Sequence, residues 1–255
     1  MSTRLWDRAA VVPARDGSRE PQVVALEPGL PDIGQLFTFM RDAELRWSTL
    51  RMRIEERTFA TRGEQLVSVD VAIRHPRLAR VMTREGSGLA AANELWLSDG
   101  ETIWTYSGTH HLGTKRPVRN RPRGLDVLPT WARVYEPVTA LPAETLPELF
   151  IHPAGYCQNT LATGTLEAAG TDRVAGREAI VVTCDHPRTV ERVADRPDFA
   201  IEIAVDRLDG VILRLVETIG GELTRLAEVT SYQPDAPLPP SFFDFAFPDG
   251  TTVVY

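Results

Sequence analysis

Short segments in which apolar and polar residues alternate constrain the fold of this chain more than any other feature. They fall into two groups of about five, one between residues 48 and 107 and one between residues 163 and 255. Alternation with a period of two is typical of β-strands, and the Arg-Gly, His-Pro and Asp-Gly pairs between the segments favour tight turns. The pattern predicts an antiparallel meander.

Helical periodicity is confined to two regions. Ile33 to Leu50 has apolar residues three and four positions apart, which predicts an amphipathic helix. The middle of the chain, about 124–159, loses the alternation, and Ala143 to Phe150 favours a short helix there. We therefore expect an α+β fold, a large curved antiparallel sheet with helices on its concave face.

Composition limits the classes of function. The chain has 255 residues, 43% of them hydrophobic, and a formal net charge of -7, which argues against a general nucleic-acid binder. Two cysteines are too few for a disulfide framework, and no run of residues has the length of a membrane helix. Residues 1–31, with four prolines, are expected to form a poorly ordered arm or a strap, and 32–255 a single domain. The sequence as written predicts a cytoplasmic protein, or an exported one if its N-terminus is truncated or mis-assigned.

The stretch "ELWLSDGETIWTYS" predicts a β-hairpin turning at Asp99-Gly100, with Leu95 opposite Trp104. Alternation then puts Leu95, Leu97, Trp104 and Tyr106 on one face and Trp96, Ser98, Glu101, Ile103 and Thr105 on the other. Both faces carry a tryptophan, so both need cover. We expect the first face to line the cavity and the N-terminal arm to cover the second.

No catalytic constellation emerges. His110 and His111 are adjacent and would point to opposite faces of a strand, so they favour a loop pair over a metal site. Cys184 and His186 could share a face, but nothing supplies the third group that an activated thiol requires. The sequence predicts no enzyme, no cofactor and no metal.

Four stretches together resemble the LolA-like family of bacterial lipoprotein carriers. They are "AIRHPRLARVMT", "LWLSDGETIWTYS", "FAIEIAVDRLDGVILRLVET" and "FFDFAFPDGTTVV", and the resemblance runs from Asp42 to Tyr255. It implies a half-open antiparallel β-barrel closed by helices around a hydrophobic cavity. The family commonly has an arginine before the proline of its strand-ending Arg-Pro pair, where it helps to hold the lid closed. This sequence has His75 at that position, and Arg74 points to the other face.

The leading hypothesis is non-enzymatic binding or carriage of an apolar ligand (an acyl chain, lipid or isoprenoid) between sheet and helices. His75 is expected near the mouth of the cavity, and Lys115, Arg116 and Arg119 as possible contacts for an anionic group. The predicted lining consists of Trp47, Val81, Met82, Leu95, Leu97, Trp104, Tyr106, Trp131 and Phe150. The alternative is a regulatory or scaffold module of the same fold that binds a protein partner through the loop from Lys115 to Arg123. A third hypothesis, an enzyme using Cys184, requires a thiol that labels rapidly at neutral pH.

Overall fold

The computed structural model describes residues 25–60, 63–86, 92–118, 137–188 and 196–254. Within them, twelve strands form one sheet. In chain order they are β1 (Thr49–Ala60), β2 (Gly63–Arg74), β3 (Leu78–Glu85), β4 (Ala92–Asp99), β5 (Thr102–Ser107), β6 (Leu112–Pro117), β7 (Thr165–Val174), β8 (Arg177–Asp185), β9 (Phe199–Asp206), β10 (Ile212–Ile219), β11 (Glu222–Pro234) and β12 (Thr252–Val254). Their spatial order is β12-β6-β5-β4-β3-β2-β1-β11-β10-β9-β8-β7.

The sheet is antiparallel except where β12 runs parallel to β6. It is curved and does not close, since β7 and β12 remain its two edges, while β7 approaches both β11 and the first helix. The helices are α1 (Ile33–Arg41), α2 (Leu146–Ile151) and α3 (Ala154–Asn159). Short 3-10 turns cover Ala43–Arg46, Leu161–Thr163 and Pro240–Phe243. The predicted fold class, a large curved antiparallel sheet with a few helices, is confirmed.

The helices cover one face of the sheet, which we name the inner face and define on β1 by Leu50, Met52 and Ile54. These three side chains are buried, and the residues between them are exposed. Buried side chains of α1, α2 and α3 join them in one hydrophobic core. The opposite, outer face is defined on β1 by Arg51 and Arg53.

Helix α1 begins where the sequence indicates. Asp32 caps it, since its carboxylate accepts a hydrogen bond from the backbone N–H of Gln35 at 2.9 Å. The predicted continuation to Leu50 is wrong, because the helix ends at Arg41 and β1 begins at Thr49. Alternation starts there, and pairing with β2 satisfies backbone groups that a longer helix would have used.

The β4–β5 hairpin forms, but its predicted register is wrong by two residues. Leu95 pairs with Tyr106 and Leu97 with Trp104, so the loop is Gly100-Glu101. Of these two loop residues, only Gly100 has a positive φ, 93°, as a hairpin turn with glycine in the first central position requires. Asp99 fixes this turn, because its side chain accepts hydrogen bonds from the N–H groups of Glu101 and Thr102. A shift of two residues preserves the faces, so the predicted division of side chains is confirmed.

Candidate functional site

The predicted cavity lining is divided between the two faces of the sheet. Val81 and Trp96 align with Met52 and Val71 across four strands and therefore share the inner face. Trp47 and Phe150 belong to the core on the same side. The remaining described members lie on the outer face, against the prediction, and these are Met82, Leu95, Leu97, Trp104 and Tyr106.

A C-terminal segment explains this reversal, because it covers the outer face. Phe245 and Phe247 contact the ring of Trp104, at centroid distances of 6.1 and 5.4 Å, and Phe245 also contacts Tyr106 at 6.2 Å. Gly113 on β6 makes room for the ring of Phe247, which a β-carbon at that position would overlap. Cover for the second face of the hairpin thus comes from the end of the chain.

The N-terminal arm was the predicted cover for Trp96 and Ile103. Both side chains lie on the inner face, and residues 1–24 fall outside the described part of the chain. The described stretch that follows reaches the β9–β10 turn, where Arg207 donates hydrogen bonds to the carbonyls of Glu27 and Gly29 at 2.9 and 2.7 Å. The described part of the arm therefore contacts a different region from the one predicted.

The predicted cationic contacts do not form one group. Lys115 lies on the outer face, with its Nζ 4.3 Å from the centroid of the Trp104 ring. Arg116 pairs with Ile103 and so points to the inner face. Arg119 and Trp131 lie outside the described residues.

His75 connects the sheet to the segments that cover its inner face. Its Nε2 lies 3.0 Å from the Glu44 carbonyl oxygen, and its Nδ1 lies 2.7 Å from the Thr139 hydroxyl. Trp47 stacks on the same ring, with centroids 4.5 Å apart and an interplanar angle of 17°. Arg74 points to the outer face, as predicted, where it donates a hydrogen bond to the Leu238 carbonyl. His75 therefore joins the end of the sheet to two segments that cover its inner face.

Buried polar atoms without partners concentrate on the inner side of the sheet. Within the described chain, five such atoms lack a hydrogen bond. They are Trp47 Nε1, Ser107 Oγ, Tyr156 OH and both ring nitrogens of His152. His152 Nε2 does lie 3.2 Å from Glu44 Oε2, within ionic contact but outside the geometry of a hydrogen bond. Ser107 lies in the cross-strand row of Ile54 and Val69 on the inner face, and the other three residues belong to the segments that cover that face.

A charged group lies close to Tyr156. Arg225 on β11 contacts the carboxylates of Glu56 at 2.6 Å and Glu217 at 3.3 Å. Burial, and then the negative charge of Glu217, raises the pKa of the Tyr156 hydroxyl well above its usual value. The phenol is therefore neutral at physiological pH and can donate a hydrogen bond.

The outer face carries a groove of about 470 Å³ that sequence reasoning missed. Its lining residues come from β1, β2, β3, β11 and the C-terminal segment, and they include Arg51, Arg53, Asp70, Arg80, Arg84 and Phe242. The sequence does contain a signal, because Arg51 and Arg53, like Arg80 and Arg84, lie an even number of positions apart on their strands. Only the pairing register of β1, β2 and β3 shows that these two pairs of arginines lie on the same face of the sheet.

Both cysteines are buried and free. Burial raises the pKa of the Cys157 thiol to about 12, and burial together with Asp185 raises that of Cys184 to about 11. The Cys184 thiol donates to the Leu161 carbonyl oxygen at 3.4 Å. No cluster of three potential metal ligands occurs among the residues that the structure describes. None of the helices in those ranges has both the length and the apolar character to cross a bilayer.

Several solved structures are similar to this chain at low sequence identity. An uncharacterized conserved protein from Thermus thermophilus matches with a TM-score of 0.49 and 13% identity, over 87% of this chain and 98% of that one. A chain of the Pseudomonas aeruginosa MucA/MucB complex matches at 0.47 and 15%, over 85% of this chain and 62% of its own length. A LolA superfamily protein from Nitrosomonas europaea matches at 0.31 and 11%, over 83% and 97%. No family model matches the sequence, and no curated protein matches it.

Proposed function

We propose that this chain is a non-catalytic binding protein that holds an amphipathic ligand between the inner face of its sheet and the covering helices. The ligand class is an acyl chain, lipid or isoprenoid with oxygen atoms at one end. The observation that carries the proposal is the group of buried polar atoms on the inner side, Trp47 Nε1, Ser107 Oγ, His152 Nδ1 and Tyr156 OH, which have no partner among the described residues.

Burying a polar atom without a hydrogen-bond partner lowers the stability of the folded chain. Nearly all buried polar groups in native proteins are hydrogen-bonded, and each one left without a partner costs about 1–3 kcal/mol. An indole N–H can only donate, and hydroxyl groups also donate readily. The complementary molecule therefore supplies acceptor oxygens, as an ester, carboxyl or hydroxyl group does, and its apolar part would lie against apolar side chains of the inner face, such as Trp96 and Val81.

The covering segments are attached to the sheet by contacts that can be exchanged. The latch at His75 includes two hydrogen bonds and one ring stack, and Glu44 accepts a further hydrogen bond from the backbone N–H of Val138 at 3.1 Å. A net hydrogen bond contributes about 0.5–1.5 kcal/mol. Moving the segment at Thr139 away from His75 would break these polar contacts while the core packing of the helices remains, and it would give a ligand a way in. Burial of the ligand contributes about 0.8 kcal/mol per methylene.

The test is native mass spectrometry of gently purified protein, followed by displacement of a fluorescent fatty acid. We expect a bound mass that denaturation removes, and saturable displacement. Tyr156→Phe should weaken binding of the fatty acid several-fold. Tyr106→Phe is the matched control, because it removes the same atom from the outer face, and it should leave the affinity unchanged.

Absence of both a bound mass and displacement would contradict the proposal. Equal effects of Tyr156→Phe and Tyr106→Phe would contradict the assignment of the ligand to the inner side. Cell fractionation is a separate test, which distinguishes the cytoplasmic location expected from the sequence from the exported alternative.

A further inference from the structure

We propose that the outer-face groove binds an acidic, extended segment of a partner protein, whose carboxylates pair with Arg51 and Arg80. This site lies on the opposite face of the sheet from the proposed ligand site and does not depend on it. The argument rests on the charge, the order and the spacing of the arginines.

The groove is strongly cationic. Its described lining holds four guanidinium groups, from Arg51, Arg53, Arg80 and Arg84, and one carboxylate, from Asp70. On the β11 side the register places uncharged Gln233 and Ser231 opposite the two β1 arginines. This positive surface occurs on a chain whose formal net charge is -7.

Two of the arginines form ion pairs with Asp70, and the other two do not. Arg53 contacts the carboxylate with two hydrogen bonds, at 2.9 and 3.2 Å, and Arg84 contacts it at 2.5 Å. Neither Arg51 nor Arg80 forms an ion pair with a carboxylate in the described part of the chain. They flank Ala72 in one cross-strand row, so a small side chain separates them.

These two guanidinium groups are already held in position. Each lies over the ring of Phe242, at 5.9 Å for Arg51 and 5.4 Å for Arg80, and Arg80 also donates to the Phe242 carbonyl oxygen at 3.2 Å. Holding them before binding reduces the side-chain entropy that a partner must remove. The planar guanidinium fork matches the two oxygens of a carboxylate.

The spacing favours an extended segment. Arg51 and Arg80 lie on strands that β2 separates, so their Cα atoms are two inter-strand spacings, about 9–10 Å, apart. Alternate side chains of an extended peptide repeat every ~6.8 Å, and the long arginine side chains, which lie over the same Phe242 ring, can accommodate the difference. A segment that crosses β1, β2 and β3 with acidic residues at alternate positions would place two carboxylates beside Arg51 and Arg80, while Met82 and Phe242 offer apolar contact.

The negative net charge of the chain disfavours the binding of larger polyanions. An anionic membrane or a nucleic acid would face the whole negatively charged chain as well as the groove. A short acidic segment contacts the groove alone, and at physiological ionic strength charges more than about 8 Å away are largely screened. Among anionic macromolecules, these observations favour an acidic protein segment.

The experiment measures fluorescence anisotropy of a labelled peptide of three Glu-Val repeats with the full chain in 50 mM NaCl. We expect saturable binding that weakens with salt, and no binding of the matching Gln-Val peptide. R51Q and R80Q should each weaken binding about tenfold, and D70N should strengthen it. The matched control is R57Q, because Arg57 lies on the same face of β1, outside the groove, paired with Glu64 at 3.2 Å. It should change the affinity less than twofold.

Several results would overturn the proposal. One is a failure of the Glu-Val peptide to bind the unmodified protein, and another is an equal loss in R57Q and R51Q. Displacement of the peptide by inorganic pyrophosphate at equal affinity would assign the groove to a small oxyanion instead. Binding to phosphatidylglycerol vesicles without peptide binding would assign it to a membrane surface. Thermal unfolding of each variant shows whether it is folded. If R51Q or R80Q does not fold, the other variant still tests the proposal.

Discussion

The His75 imidazole and the Trp47 indole are stacked, with ring centroids 4.5 Å apart. His75 directly follows β2, and Trp47 lies between the 3-10 turn of Ala43–Arg46 and β1, so the stack joins the residue after one strand to the approach to its neighbour. Both nitrogens of the same imidazole contact oxygens of segments that cover the inner face. One side chain thus connects three parts of the fold at this end of the sheet.

Replacing His75 with alanine should therefore destabilise the chain. The variant loses the stack and two hydrogen bonds, and we expect the free energy of unfolding to fall by about 1–3 kcal/mol. Urea denaturation measures this change, and amide hydrogen exchange should accelerate in residues 137–145. His110→Ala is the control, because His110 is an exposed turn residue, and its effect should stay below ~0.5 kcal/mol. Equal effects of the two substitutions would show that the latch contributes nothing.

Alternation in the sequence predicted which side chains share a face, but not which face meets the helices. Leu95, Leu97, Trp104 and Tyr106 do lie together. The prediction assigned them to the inner side, beneath the helices, and assigned the cover of the other face to the N-terminal arm. Phe245 and Phe247 provide a second cover, and their contact with β5 joins residues about 140 positions apart, which local periodicity does not encode.

The hairpin register and the outer groove both depend on interactions that alternation within one strand does not reveal. The register depended on the side chain of Asp99, which captures two backbone N–H groups and moves the loop to Gly100-Glu101. The groove depended on Arg51 and Arg80 lying on either side of Ala72, an arrangement that exists only once β1, β2 and β3 are paired. Patterns within one strand were predictable, whereas features built from several strands required their registers.

The close approach of Phe247 to Gly113 makes a sharp prediction for the C-terminal cover. Gly113→Ala should displace the Phe247 ring, because the new β-carbon overlaps it. We expect a loss of about 1–3 kcal/mol in stability, the usual cost of overpacking, and faster limited proteolysis near the C-terminus.

The matched control for this substitution is Gly155→Ala, since a β-carbon at Gly155 meets nothing within 4 Å. Adding Phe247→Ala to Gly113→Ala removes the overlap and should recover part of the stability of the glycine substitution. A C-terminus as resistant to protease in Gly113→Ala as in the unmodified chain would refute the packing of Phe247 on β6.

The β4–β5 turn should weaken in acid. Partial burial acts to raise the pKa of Asp99, but hydrogen bonds from the Trp104 indole and from two backbone N–H groups, with the nearby charge of Lys115, lower it overall. A lowered pKa means that the carboxylate stabilises the fold above its unfolded value of about 3.8 and that this contribution disappears as the pH falls through the folded value.

Nuclear magnetic resonance can follow this titration at the Trp104 indole N–H, which donates to Asp99 at 3.0 Å. Its proton shift should move with a midpoint below pH 3.8, and Asp99→Asn should abolish the movement. The Trp96 indole on the inner face is the internal control and should not follow this titration. A midpoint above 3.8 at Trp104 would contradict the assigned hydrogen bond.

The two thiols should react slowly in the folded protein. Burial raises their pKa values to about 12 for Cys157 and about 11 for Cys184, so both thiols stay protonated at neutral pH, and the thiolate is the reactive form. We expect labelling by a disulfide reagent to take hours in buffer and to be complete at once in denaturant. Single Cys→Ser variants assign each rate. Because an enzyme built on Cys184 needs a thiolate at neutral pH, rapid labelling of Cys184 in the folded chain would contradict a purely binding function, and slow labelling removes that alternative.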